Sequence, residues 1–388
     1  MIRNNEFLIE TAKLNPNIDF LTKLNSTDLD WEYILKQSKF HSILQLIYYH
    51  CSSLKVIPTH YENLLRSNYV LAESKGRLMT DEYKNVLKRF NEEGVKVIVL
   101  KGVYLATKVY KNVALRPFGD MDILIEKESI NKVFKILLEL GYSQSEIDPA
   151  SGEQVPLGED RLQGYEQELQ HFGEFFKLNK SPLLKNGFYI DVHHRLSTVF
   201  DKFSYNIDEI IDRSVEDYLD ETPIFRLSNE DFLTHLCTHL YWHTQSLRDI
   251  LDGEDARLLA YTDIRSFLQT HEIDWELLFQ RAKKNNTDSA LYYTLHHAQL
   301  LFGDVIPHKI YESWNLEYLN EISNSIYDRW ITRDNTMKIG NWDQDFMTRL
   351  FNLDRSSMAL KSFYEDYLEP ILHRGGVLKV VEFGDPNR

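Results

Sequence analysis

Cysteine is nearly absent. Cys51 and Cys237 are the only two in 388 residues, they lie far apart, and neither has metal-ligand spacing. A disulfide framework and a cysteine-built zinc site are therefore excluded, and a reducing, cytoplasmic setting is expected. No apolar run reaches the roughly 18 residues that a membrane span needs. The segment Met1-Ile2-Arg3-Asn4-Asn5-Glu6 lacks the apolar core of a secretory leader. Positive charge is also in deficit, with 44 Lys and Arg against 59 Asp and Glu, a net charge of −15. A protein that grips long nucleic acid through its phosphates carries the opposite balance, so DNA or long RNA is a poor fit as a partner.

What is present describes a globular chain with a large core: 43% hydrophobic residues, of which an unusual share is aromatic. The pattern divides it into three regions. Residues 1–90 read as helical, with apolar residues at three- and four-residue spacing over Asp28 to Tyr49 and Tyr61 to Phe90. Residues 91–204 change character. Short apolar runs surround one clear helix, Ser129 to Leu140, closed by Gly141. Phe172 to Leu178 and Gly187 to His193 read as antiparallel strands, with Asn186-Gly187 as a turn signal. Residues 205–388 read as helical again, with helices over Asn229 to Trp242 (capped by Ser228), Ala256 to Thr270, Trp275 to Lys284 and Ala290 to Phe302. The polar stretch Ser143 to Gly164 and the tail Gly384 to Arg388 read as disordered. The fold class expected is α+β, a small mixed sheet set between two helical regions.

Within the sheet region, Asp120-Met121-Asp122 runs directly into Ile123-Leu124-Ile125. Alternate strand residues share a face, so both carboxylates converge at the mouth of a buried strand. Two such charges beside an apolar sheet are unfavourable unless a cation sits between them, and a hard ion such as Mg²⁺ or Mn²⁺ is the usual partner. Three neighbours strengthen that reading: Val95 to Leu100 ending in Lys101-Gly102, Arg116-Pro117 just before the acidic pair, and Asp191-Val192-His193 in a later strand. His235, His239 and His243 recur at four-residue spacing and form one helix stripe. It borders the apolar face of Phe232, Leu233, Leu236 and Leu240 and lacks the glutamate of a zinc protease, so buried, hydrogen-bonded histidines are expected there.

In order and spacing, Leu100-Lys101-Gly102, Arg116, Asp120-Met121-Asp122 and Asp191-Val192-His193 resemble the nucleotidyltransferase superfamily with the DNA polymerase β-like catalytic fold. They resemble most the bacterial branch found beside natural-product, peptide-modification and cell-surface biosynthesis genes. The resemblance covers about residues 90 to 300 and extends to Asp231-Phe232-Leu233, His239, Thr262-Asp263-Ile264 and Ile273-Asp274-Trp275. It departs from most of the superfamily in having Lys101-Gly102 where a Gly-Ser pair binds triphosphate.

The resemblance implies an α+β nucleotidyltransferase with a polymerase β-like sheet. It would act as an enzyme with two metal ions, moving a nucleotidyl group from an NTP such as ATP to a hydroxyl or phosphate of a small molecule or peptide. Asp120, Asp122 and Asp191 would be the catalytic metal ligands for Mg²⁺ (or Mn²⁺). Lys101, Gly102, Arg116 and His193 would bind the nucleotide, His239 would pair with Asp263, and Lys108 and Lys111 could meet an anionic group on the acceptor. The helical region after residue 205 would serve as lid and acceptor platform. Other readings stand beside it: a glycosyltransferase holding a nucleotide-sugar through the same Asp-x-Asp, a tRNA-modifying toxin-like nucleotidyltransferase, and a degenerate nucleotide-binding or protein-interaction module.

Overall fold

The computed structural model describes residues 2–148, 153–184, 187–199, 201–246, 249–250, 253, 255–327 and 338–355. The tail from Gly384 and the turn residue Asn186 lie outside that set. Among the described residues the central element is an eight-stranded sheet in the order β4-β3-β5-β6-β2-β1-β8-β7. The strands are β1 (Val97–Val99), β2 (Met121–Ile125), β3 (Ser143–Ile147), β4 (Gln154–Pro156), β5 (His171–Leu178), β6 (Gly187–His193), β7 (Val215–Leu219) and β8 (Thr222–Arg226). The sheet is mixed. β2 runs parallel to β6 and β1 runs parallel to β8, while the remaining neighbours are antiparallel. All five residues of β2 are buried, as expected of an inner strand covered on both faces.

Two expectations need correction. Residues 149–152 lie outside the described set, but the described residues within 143–164 are ordered: they supply β3, β4 and the first part of the helix Glu159–Glu168. Their polar side chains bond one another, with Gln154 Nε2 donating to Ser145 Oγ at 2.7 Å. The chain after residue 205 is not helical throughout either. The hairpin β7–β8 lies there, and β8 joins the main sheet beside β1, so the sheet reaches Arg226.

The helices before and after the sheet share one apolar core with it. The N-terminal part breaks where Ser42 takes a positive φ of 59°, separating the helices Trp31–Phe40 and Leu44–Cys51. His41 reaches the later helical region, where its carbonyl accepts from the Leu259 amide at 3.3 Å. The 34-residue helix Thr59–Glu92 lies along the sheet, and the buried Tyr83 hydroxyl donates to the Tyr189 carbonyl at 2.9 Å. On the opposite side of the site, the helices Asn229–Gln245 and Leu258–Thr270 pack together. No described helix is long and apolar enough to cross a membrane.

Candidate metal and nucleotide site

Strand register builds the acidic part of the site. Asp122 of β2 stands directly beside Asp191 of β6, and Asp191 beside Glu174 of β5. Residues paired across neighbouring strands share a face, so the three carboxyl groups form a row. Two positions on from Asp191, His193 falls on the same face and pairs in register with His171. Ligand atoms of Asp122, Asp191 and His193 all lie within 4.8 Å of one another. His193 Nε2 and Asp122 Oδ1 are 3.0 Å apart.

Lys101 approaches the same point from the end of β1. The Leu100 amide donates to the Asp122 carbonyl at 3.0 Å, which holds the two chain segments together. Lys101 Nζ then stands 3.5 Å from Asp122 Oδ2. That is an ion-pair distance but a poor hydrogen bond, and the oxygen has no hydrogen-bond partner among the described residues. His193 Nδ1 is likewise buried without one. Two carboxylates and an imidazole suit a divalent ion of the Mn²⁺ or Mg²⁺ kind, with the nitrogen donor favouring Mn²⁺. The residues therefore fit a divalent metal.

Asp120 sits one residue ahead of β2 and outside this close triad, unlike the expected Asp120–Asp122–Asp191 set. The two neighbouring carboxyl groups are driven apart. Burial, then the charge of Asp122, raises the Asp120 pKa against the pull of Lys101 and Arg116. Burial would raise that of Asp122 too, but Lys101 and His193 together hold it well below the usual carboxylate range. Gly102 packs against this segment, and a Cβ there would stand 3.3 Å from the Asp120 carbonyl. Its small size is used for that close approach.

The helices supply the opposite side, with two departures from expectation. Arg116 is engaged by Asp263, whose Oδ2 accepts from Nη2 at 3.0 Å and from Nε at 3.3 Å. The Tyr110 hydroxyl donates to Asp263 Oδ1 at 2.8 Å. His239 therefore does not pair with Asp263. It touches Lys101, Nε2 against Nζ. Since a lysine ammonium can only donate, Nε2 is the accepting nitrogen. Burial, followed by the charge of Lys101, keeps the His239 pKa well below its ordinary value and the ring neutral.

The rest of the stripe only partly follows the expectation of hydrogen-bonded rings. His243 Nδ1 bonds Asp249 Oδ2 at 2.8 Å, but neither ring nitrogen of the buried His235 has a hydrogen-bond partner among the described residues. His235 and His171 are both pushed down to about 3, chiefly by burial. Lys108 is also committed, to Asp217 at 3.0 Å and the Tyr218 carbonyl at 2.9 Å, which leaves Lys111 of the two basic residues considered for an acceptor.

Sequence reasoning missed Glu174 and His171. The available signal was polar residues inside the otherwise apolar run of β5, hidden by the register shift between His171 and Glu174.

Fold and site together define an α+β protein with an acidic sheet face able to hold a metal ion. The chain belongs to the family described as uncharacterised nucleotidyltransferase, whose profile matches residues 27–303. No curated protein matches it. A solved antigenic nucleotidyltransferase-like protein from Paracoccidioides brasiliensis is similar over 55% of this chain and 91% of its own, at 10% identity and a TM-score of 0.31.

Proposed function

We propose that the protein is a metal-dependent nucleotidyltransferase that moves a nucleotidyl group from an NTP to a hydroxyl or phosphate of a small-molecule or peptide acceptor. The observation that carries this reading is the Asp122–Asp191–His193 cluster on the sheet face of a nucleotidyltransferase-family chain. Asp122, Asp191 and His193 would hold a divalent ion, with Asp120 and Glu174 adding negative charge beside it. When bound, Mg²⁺ or Mn²⁺ would stabilise charge on the phosphate oxygens. Lys101 and Arg116 would orient the triphosphate and neutralise the leaving pyrophosphate. Asp191 would accept the proton of the acceptor hydroxyl, a task its place beside Asp122 suits.

The acceptor class follows from charge. Net charge is −15, and of the basic residues near the site Lys101, Arg116 and Lys108 already have acidic or imidazole partners. A nucleic-acid acceptor needs several phosphates neutralised together. Natural-product or peptide modification in the cytoplasm is the setting this chemistry suits.

The test is incubation with each α-labelled NTP, Mg²⁺ or Mn²⁺ and a metabolite and peptide extract, followed by detection of labelled acceptor. Label transfer lost in Asp191→Asn supports the reading. Transfer from a nucleotide-sugar with none from any NTP refutes it in favour of the glycosyltransferase. Submicromolar, steeply salt-dependent binding of tRNA would refute the small acceptor.

A further inference from the structure

The helical region does more than cover the sheet. Its helices Asn229–Gln245 and Leu258–Thr270 each send one side chain to a cation of the catalytic sheet: His239 to Lys101 and Asp263 to Arg116. These contacts join residues 138 and 147 positions apart in the chain. We propose that His239 and Asp263 are positioning residues, which hold the two triphosphate-binding cations in place and so complete the nucleotide site from the helical side. This rests on the nucleotidyltransferase reading above.

The geometry at Lys101 explains the need for a holder. Its ammonium ends a flexible four-carbon stem 3.5 Å from a strongly anionic carboxylate. Left alone, it would close onto Asp122 and occupy the position a metal ion needs. His239 approaches as a neutral acceptor, so it draws the ammonium aside without adding charge that would compete with the ion. Its neighbour His243 is turned to Asp249 and is not available for that task.

Arg116 meets a different device. Asp263 takes Nε and Nη2, while Nη1 makes no hydrogen bond to any described residue. One edge of the planar group is thus fixed by protein and another is left for a ligand oxygen, an arrangement suited to recognising phosphate. Tyr110 bonds the Asp263 oxygen from behind; both are buried, while Arg116 keeps partial exposure. Arg116 lies four residues before Asp120 and acts on its charge, so a fixed guanidinium also fixes the field at the acidic pair.

The test couples each holder to its cation. In the full-length protein, His239→Ala should weaken Mn²⁺-dependent NTP binding about tenfold, the scale of one charge-assisted hydrogen bond. His239→Gln should restore most of it, because its carbonyl oxygen can accept where Nε2 did. Asp263→Asn should raise the KM for NTP by a similar factor with kcat changed less than about threefold. Tyr110→Phe should give a smaller shift in the same direction and serves if Asp263→Asn folds poorly.

In a Lys101→Met background, His239→Ala should have no further effect on affinity. Asp263→Asn should have none in Arg116→Met, since coupled residues depart from additivity. Additive effects in the double variants, or unchanged nucleotide affinity in folded single variants, overturn the proposal. Failure of the wild-type protein to bind any NTP instead overturns the functional reading on which it rests.

Discussion

On the sheet side of the site, Asp122, Asp191, Glu174 and His193 are placed by backbone register, whereas on the helical side His239 and Asp263 reach across by side chain alone. A ladder fixes positions to within a fraction of an ångström and tolerates changes elsewhere. A side-chain bridge depends on how two separately built elements pack. On the proposed reading the sheet would supply the metal ligands and the helices would adjust the cations beside it. Variants on the two sides should differ in kind: loss of chemistry from the sheet, loss of affinity from the helices.

The largest expected effect is on transfer itself. Asp122→Asn or Asp191→Asn should lower the initial rate by at least about a thousandfold, the scale of removing a charged group from a metal-assisted phosphoryl transfer. Rates with saturating Mn²⁺ check this, and a loss under tenfold would place the chemistry elsewhere. Next, His193→Ala should weaken Mn²⁺ binding about 10- to 100-fold. Isothermal titration would also show Mg²⁺ affected less, since Mg²⁺ gains little from an imidazole. Equal losses for both ions would mean that His193 only orients Asp122.

Stability should separate the two acidic neighbours. The folded state holds the Asp122 pKa well below its unfolded value, so its stabilisation is complete above the ordinary carboxylate range and is lost as pH falls through the folded value. Asp122→Asn strips Lys101 and His193 of their partner and should cost about 3 kcal/mol, the scale of breaking a buried pair. Asp120 is shifted upward, so its charge opposes folding at neutral pH and Asp120→Asn should leave stability equal or higher. Urea melts of the two variants decide it, and equal destabilisation would contradict the opposite shifts.

A smaller and more distributed effect concerns acid. Burial lowers His50, His194 and His296 to about 4 and His171 and His235 to about 3. Below pH 6.5 the unfolded chain takes up protons that the folded one refuses, so stability falls with pH until about 4. Each fully buried ring contributes up to about 1.4 kcal/mol per pH unit. The urea midpoint should drop between pH 7 and 5, and a flat profile would show these rings are solvated. The smallest effect is at Gly102→Ala. A helix gains about 1 kcal/mol from alanine, and displacement of the Asp120 carbonyl from the 3.3 Å contact offsets it. Stability within about 0.5 kcal/mol of wild type, with a rate loss of a few fold, is the expected balance.

How much of this was legible follows the same division. The Asp120–Asp122 pair, the strand holding Asp191 and the Lys101-Gly102 turn are local patterns, and a period of two on an apolar strand is enough to read them. The bridges from Arg116 to Asp263 and from Lys101 to His239 leave no local trace, because each joins residues more than 130 apart. His239 stands on the expected stripe but meets Lys101 rather than Asp263, since spacing along a helix fixes a face and not what that face meets. The hairpin β7–β8 was hidden by its composition: Val215-Glu216-Asp217-Tyr218-Leu219 is largely exposed, and Pro223 weakens the strand signal. The polar Ser143-Gln144-Ser145-Glu146-Ile147 of β3 leaves no periodic trace either: its order comes from backbone pairing with β4 and β5, reinforced by side-chain bonds from Gln154 to Ser145 and from Gln144 to the Phe172 carbonyl.

Those two unassuming ends of the sheet have a consequence of their own. An open sheet of eight strands leaves two rows of unpaired backbone groups, each a template on which another chain could extend the ladder into a fibre. Here one margin is the three-residue β4, closed by Pro156, which has no amide to offer. The other is β7, where the exposed Glu216 brings charge to the rim. Replacing Pro156 with valine and Glu216 with threonine would remove these guards together, and the protein should then aggregate at concentrations where the wild type stays clear.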